Sequence, residues 1–458
     1  MNVGADRILH IEQLGARPIP EDARYGRPSD LLGIFFGAQI GFPSLVLGAV
    51  PVAFGLGPGR SLLCIAIGSL LGALAVGAMA LMGPITGTNN IVSSSAFFGQ
   101  RGKILGSIIV MIMDLGYFAL GFWITTPQFE ILFRFLGWSV DHWVLLSCAV
   151  LAQLLIILCA LLGHATVVAY EKSVSLVGTA CMACVVLHIW LWPTGAPRFD
   201  GLYPAGGLWI ACLASIATHF GNAVSYAPFA GDYTRYFPRN SSRLAVFSYA
   251  VAGMFTGCMI ACGAGVVIGL SISQPLQLVP QMLAAVPQWL VLPLVAAGLA
   301  GHVCNGSMVS YNGILNMQAV MKGMGRPTVA IVYGLCGTVL GMLGLMVMNL
   351  TESLMAMCAI VNIFVVPWIC INIVGFLKII LSESYKFEKL PGPSRYISPG
   401  AFVIWLVSII CGLPFSANGL FIGTAARLFG GSDLGFVMSG LVAGLLYAFF
   451  GKPEEYAS

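Results

Sequence analysis

The chain has 458 residues, 58% hydrophobic and 8% charged, with a mean hydropathy of +0.92 and a net charge of +4. Soluble domains are about one quarter charged, so this composition excludes a soluble globular domain and implies an all-α polytopic membrane protein. The positive balance argues for no nucleic-acid partner, because in such a chain it reports which loops face the cytoplasm.

Residues 1-30 hold Arg7, Glu12, Arg17, Glu21, Arg24 and Arg27 without the apolar core of a signal peptide, which predicts a retained polar cytoplasmic tail. Apolar runs of about 20 residues, enough to cross a bilayer core, follow at about 31-56, 61-83, 104-126, 142-162, 172-192, 206-230, 243-271, 289-319, 327-349, 353-379, 398-417 and 432-450. These 12 transmembrane helices put seventeen of the 21 Lys and Arg residues on inner segments and only Arg60, Arg134, Arg198 and Arg427 on outer loops. That asymmetry orients both termini to the cytoplasm of a cell-membrane protein.

Span one carries Gly33, Gly37 and Gly41, a small-residue face for close helix packing, followed by Pro43. The Gly41-Phe42-Pro43 step predicts a broken helix with Gln39 as the polar residue at the weak point. Between spans two and three, GPITGTNNIVSSSAFFGQRGKILG reads as an inner loop ending in Arg101 and Lys103. In span three, Asp114 is an acidic residue near mid-membrane, where a carboxylate costs at least about 2.5 kcal/mol and is a functional candidate by default. Tyr117 and Gly121 share its helical face, adding an aromatic plane and space.

The thirteen cysteines lie mostly in apolar spans, and Cys181 and Cys184 lack histidines at ligand spacing, so packing is expected in place of a metal or disulfide. Span six, within Ala211 to Pro238, is predicted to break at Phe220-Gly221-Asn222, resume past Pro228 and end in Asp232 and Arg235. A broken helix survives in a bilayer where it lines a cavity, so the break is a candidate binding site, with Asn222 as amide and His219 as a titratable group beside it. Span eight adds His302, Asn305, Ser307, Ser310, Tyr311 and Asn312, more polarity than interhelical hydrogen bonding needs.

Broken spans one and six lie five helices apart, which is what a five-plus-five inverted repeat produces. The ten-helix core then covers 31-380, with repeats at about 31-192 and 206-380. A cytoplasmic linker at 381-397, two peripheral helices at 398-450 and a cytoplasmic tail at 451-458 complete the chain. Glycine and proline are also simply common in membrane helices. No nucleophile elbow, phosphate loop or metal motif appears, so neither catalysis nor a cofactor is expected.

The tail IEQLGARPIPEDAR, the pair GPITGT and SSSAFFGQRG, SYAPFAGDYTRYFP closing span six, and NGSMVSYNGILNMQ in span eight together resemble the nucleobase:cation symporter-1 family of purine-cytosine permeases. The resemblance implies the LeuT-type five-plus-five transporter fold and import of a nucleobase or related heterocycle coupled to a cation. It implies Tyr117 stacking on the base, Asp114 and Gly121 at positions where members place a glutamine, and the span-six site at Gly221 and Asn222. Ala223 stands where a second aromatic is usual, so the resemblance implies that one wall of the stacking sandwich is either missing or supplied by Phe220. Sodium-coupled relatives use two adjacent hydroxyl residues early in span eight. Here the pair is Leu299-Ala300 or Val303-Cys304, depending on register, which favours a proton over sodium, with Asp114 as carrier and His219 as a second candidate. The expected substrate contacts are Asp114, Tyr117, Gly121, Phe220, Gly221, Asn222, Asn305 and Gln39. The rival is an amino-acid or amine permease of the same architecture, its ammonium held by a carboxylate beside an aromatic.

Overall fold

The computed structural model describes residues 6–192, 206–321, 323–347, 350–381, 397–418 and 421–452. The described residues are mainly helical from Asp30 onward, after an irregular segment over residues 6–29 that holds one 3-10 turn (Glu21–Ala23), with one isolated bridge between Ala417 and Ile422. In chain order the helices are α1 (Asp30–Gln39), α2 (Phe42–Ala53), α3 (Pro58–Ala80), α4 (Met82–Thr86), α5 (Asn90–Ser93) and α6 (Ser95–Phe135). Then come α7 (His142–Leu162), α8 (His164–Leu191), α9 (Leu208–Val224), α10 (Ala230–Thr234), α11 (Arg243–Ser271) and α12 (Leu278–Ala285). The last six are α13 (Gln288–Val320), α14 (Arg326–Val347), α15 (Leu350–Leu381), α16 (Pro399–Gly412), α17 (Thr424–Leu428) and α18 (Gly435–Phe450).

Nine stretches of the described residues are long and apolar enough to cross a membrane, and α1 with α2 forms a tenth that is bent by 63°. The last two expected spans appear as shorter apolar helices, Pro399–Phe415 and Gly435–Phe450. The linker expected at 381-397 lies, apart from its two ends, outside the described residues.

The break in span one coincides with the expected step. Pro43 has no N–H to give the Gln39 carbonyl, which instead takes the Gly41 N–H at 3.0 Å. Span six requires a correction. Helix α9 runs straight through Phe220-Gly221-Asn222 and ends at Ser225-Tyr226, before a 3-10 turn over Ala227–Phe229 and then α10. The cause is Pro228, which withholds a donor from the Val224 carbonyl, while Ser225 Oγ donates to the Asn222 carbonyl at 2.8 Å and eases the exit from the helix.

Two further expectations change. The stretch between spans two and three is no solvated loop, since Thr88, Asn89, Asn90, Ser94 and Ser95 are buried. Its polarity is used internally: Asn89 caps α5 by accepting the Val92 N–H at 3.0 Å, and Asn90 Nδ2 donates to the Ala227 carbonyl at the span-six break, 2.9 Å away. Gly99 kinks the start of α6 at φ 82°, a backbone that glycine adopts without strain. Span five begins at His164, eight residues earlier than expected, so Glu171 lies within α8 and is wholly buried.

Helix α11 packs along α1, α2 and α3, and α13 packs along α6, α7 and α8. The α2 to α11 seam is backbone against backbone, because a Cβ on Gly48 or Gly265 would overlap the Cys262 or Leu45 carbonyl. Gly265→Val is therefore expected to cost about 1 to 3 kcal/mol or more by overpacking, read as a lower melting temperature of the detergent-solubilised protein. An unchanged melting point would show that the seam tolerates separation.

Candidate functional site

A cavity of about 510 Å³ lies where the two broken spans meet. Its walls include Ala38, Gly41 and Ser44 beside the α1 to α2 break, Tyr117 on α6, and Gly221, Asn222 and Tyr226 at the end of span six. His302 and Asn305 on α13, Asn362 on α15, and Asn418, Asp433 and Phe436 also line it.

The polar groups around it form two short networks. Asn222 Nδ2 and Ser44 Oγ both donate to Gln39 Oε1 at 3.0 Å, and Gln39 Nε2 reaches Met254 Sδ at 3.4 Å. The Gln39 amide is therefore buried and committed, and it orients Asn222 so that the Asn222 side-chain oxygen remains an acceptor. In the second network, Asn305 Nδ2 donates to Tyr226 Oη at 2.9 Å and to the Ala38 carbonyl at 3.3 Å, and Tyr226 Oη donates to the same carbonyl at 3.4 Å. Backbone freed by the break in span one is thus held by side chains from spans six and eight.

Of the residues singled out from sequence, Tyr117, Gly221, Asn222 and Asn305 line the cavity, and Gln39 stands directly behind Asn222. Phe220 is outside the lining and stacks on the lining residue Phe436, with ring centroids 5.9 Å apart. Gly121 faces packed side chains, since a Cβ there would come within 2.6 Å of His302 Cε1. His219 is buried, with Nδ1 at 2.7 Å from the Ser215 carbonyl of its own helix.

Asp114 is buried and is not a lining residue. The Asn316 amide lies beside it and donates to Asn312 Oδ1 at 2.7 Å, and neither Asp114 carboxyl oxygen has a hydrogen-bond partner among the described residues. Asn312 in turn donates to Asp232 Oδ2 at 2.6 Å. The polarity of span eight is thus shared between the cavity, through His302 and Asn305, and this inner chain.

The N-terminal segment is no free tail. Glu12 Oε1 accepts from Arg235 Nη2 at 2.9 Å, and Arg326 Nη1 lies 3.4 Å from Glu12 Oε2. Arg235 also donates to the Gly15 carbonyl at 2.5 Å and to Tyr311 Oη at 2.7 Å. Gly163, at φ 94° between α7 and α8, leaves room for the segment, because a Cβ there would come within 2.7 Å of Glu12 Oε2. The segment therefore packs against the α7 to α8 turn, the end of span six and the start of α14.

Three contributions escape a reading of the sequence. Ser44 and Tyr226 look like ordinary hydroxyl residues in apolar runs, and Glu171 sits between Tyr170 and Lys172 where the apolar run ends, which disguises it as loop. The early start of α8 at the Gly163 turn is the signal that brings Glu171 inside.

A family model described as permease for cytosine/purines, uracil, thiamine, allantoin matches residues 18–442. The chain is 26% identical to the putative purine-cytosine permease YxlA of Bacillus subtilis (strain 168), over 97% of each chain. It is 24% identical to the purine-cytosine permease FCY22 of Saccharomyces cerevisiae, over 54% of this chain and 46% of the relative. Among solved structures, Mhp1, a nucleobase-cation-symport-1 family transporter in a closed conformation with bromovinylhydantoin bound, has the same fold. The TM-score is 0.71 at 15% identity, covering 95% of this chain and 94% of that one.

Proposed function

Because the chain belongs to the permease family for cytosine/purines, uracil, thiamine and allantoin, we propose that it is a secondary active transporter importing a purine- or cytosine-like heterocycle by cation symport. Twelve spans with a five-plus-five repeat, both termini cytoplasmic, carry it across the cell membrane. The observation that supports this most is the cavity of about 510 Å³ at both helix breaks, where the Tyr117 ring stands near the Asn222 and Asn305 amides. A flat ring with donors and acceptors on its edge fits an aromatic face flanked by amides.

In this mechanism the substrate enters past Asn418 and Phe436, stacks on Tyr117 and bonds to Asn222 and Asn305. Gly221 leaves room beside it, and rocking of the bundles carries it to the inner side once the Glu12 and Arg235 ion pair releases. The cavity must bind substrate differently in its two facing states for coupling to follow. His219, bonded within its own helix, takes no part.

Coupling is to a proton. A hard cation wants oxygen ligands, and neither Leu299-Ala300 nor Val303-Cys304 carries a hydroxyl. The nearby Ala300 carbonyl is taken by Tyr170 Oη at 3.2 Å, and the Ala38 carbonyl by Asn305 and Tyr226. The amine-permease alternative is left with Asp433, a lining carboxylate that already accepts the Ala417 and Gly435 N–H groups, because Asp114 stands outside the cavity wall.

The test is uptake of radiolabelled adenine, cytosine, guanine, hypoxanthine and uracil by cells lacking their own permeases. Saturable uptake of one base, with no competition from simple amines, is expected, and competition by amines alone would overturn the reading. Tyr117→Ala is expected to raise the apparent KM about tenfold or more, the scale of one lost base–aromatic stack. An unchanged KM would remove Tyr117 from the site.

A further inference from the structure

Glu171 is a buried acid that transport through the cavity, as proposed, leaves unused. It is fully buried on α8, and neither carboxyl oxygen has a hydrogen-bond partner among the described residues. Its backbone carbonyl faces Gly37, where a Cβ would come within 2.8 Å of it, so α8 and α1 touch backbone to backbone one turn before the break in span one. The titratable groups whose fields meet its carboxyl are Tyr226 and Tyr233, on either side of the short turn in span six, and Cys304 on α13. Behind these, α11 brings Cys258 to Tyr226, and α7 brings Cys159 to Cys304. On its own helix, Tyr170 is bonded to Ala300, and Lys172 is held by Asp30 of α1 at 2.6 Å. Among the described residues, no cation faces the Glu171 carboxyl.

An ionised carboxylate without donor or counterion is costly in such a place, whereas a neutral acid is tolerated. The position also answers to movement. Ala38, one residue beyond Gly37, is where Asn305 and Tyr226 converge, and all three line the substrate cavity. Any rocking of span one and span six against α8 and α13 parts the seam that keeps water from Glu171. Asp114 differs, since it sits on α6 beside the Asn316, Asn312 and Asp232 chain and not on the α1 to α8 seam.

From this geometry we propose that Glu171 is the proton-binding site that couples transport, in place of Asp114. It takes one proton from outside water while the cavity faces out, stays neutral while the seam is closed, and gives that proton to inside water when the seam opens inward. Substrate acts on it through Asn305 and Tyr226, so the two ligands favour the same closed seam. The inference rests on the transport reading and assigns the coupling site within it.

The test uses purified protein in proteoliposomes, with counterflow and pH-driven accumulation of the transported base measured side by side. One proton against a gradient of about one pH unit supports up to about tenfold accumulation. Glu171→Gln is expected to keep counterflow and to lose accumulation, falling to the equilibrium level. It is also expected to lose the proton uptake that accompanies substrate binding in lightly buffered detergent solution. Should Glu171→Gln fail to fold, Glu171→Asp carries the test, because it keeps an acid in a displaced position and must shift the pH profile of accumulation. Wild-type accumulation in Glu171→Gln, an unshifted profile in Glu171→Asp, loss of coupling in Asp114→Asn alone, or a sodium gradient as the driving force would each overturn the proposal. A wild type that moves no base at all defeats the transport reading instead, a separate result.

Discussion

Arg235→Met is expected to cost about 3 to 5 kcal/mol, the scale for removing one partner of a buried ion pair. The guanidinium is completely buried and gathers the Glu12 carboxylate, the Gly15 carbonyl, Tyr311 Oη and, at 3.3 Å, the Asp232 carbonyl. Methionine fills similar space but leaves Glu12 buried with only Arg326 as counterion, 3.4 Å away. The result is a lower melting temperature and a segment 6–17 that exchanges its amide hydrogens freely. A melting point within about one degree of wild type would contradict this result, because about 3 to 5 kcal/mol shifts a chain of this size by about 3 to 5 degrees.

The same cluster sets a pH dependence. Burial alone would raise the pKa of Glu12, but Arg326 and then Arg235 outweigh it and hold the carboxyl down from 4.5 to about 2. A folded-state pKa below the unfolded value gives stability that is present above 4.5 and is lost as pH falls toward 2. The loss is on the order of 3 kcal/mol. Glu12→Gln is expected to flatten that acid limb, and a limb as steep as wild type would assign it to other carboxylates.

Asn222→Leu is expected to lower uptake efficiency on the order of 100-fold while leaving the protein folded. The substitution removes an amide from the cavity wall and takes from Gln39 Oε1 one of its two donors, leaving Ser44 at 3.0 Å. A site built around hydrogen bonds discriminates strongly when one partner disappears, because the remaining buried polar groups go unpaired. Initial rates of base uptake at several concentrations, normalised to protein in the membrane, read the effect. Wild-type efficiency in Asn222→Leu would move the substrate site away from the span-six break.

What was legible in the sequence was whatever depends on one local rule. Pro43 after Gly41 announces the first break, because a missing N–H acts on the carbonyl four residues back whatever the rest of the chain does. The same rule, applied to Pro228, would have placed the second break at Ser225 and not at Gly221. Tyr117, Asn222 and Asn305 stood out as polar or aromatic residues on apolar helices, and they do share one cavity. What was hidden depends on distant pairing. Glu12 looks like any charge in a polar segment, and only Arg235 and Arg326, more than two hundred residues away, make it buried structure. Asp114 shares a helical face with Tyr117, yet one helical turn is enough to take it out of the cavity lining and beside Asn316 of α13. Glu171 was concealed by the position of a helix start.

The most direct test of the central claim is accumulation of a radiolabelled purine or cytosine by proteoliposomes containing only this chain, with an inward proton gradient, an inward sodium gradient or neither. Saturable accumulation above equilibrium is expected with the proton gradient alone, abolished by a protonophore and reduced in Asn222→Leu. Absence of base uptake under every gradient, with accumulation of a simple amine in its place, would contradict it.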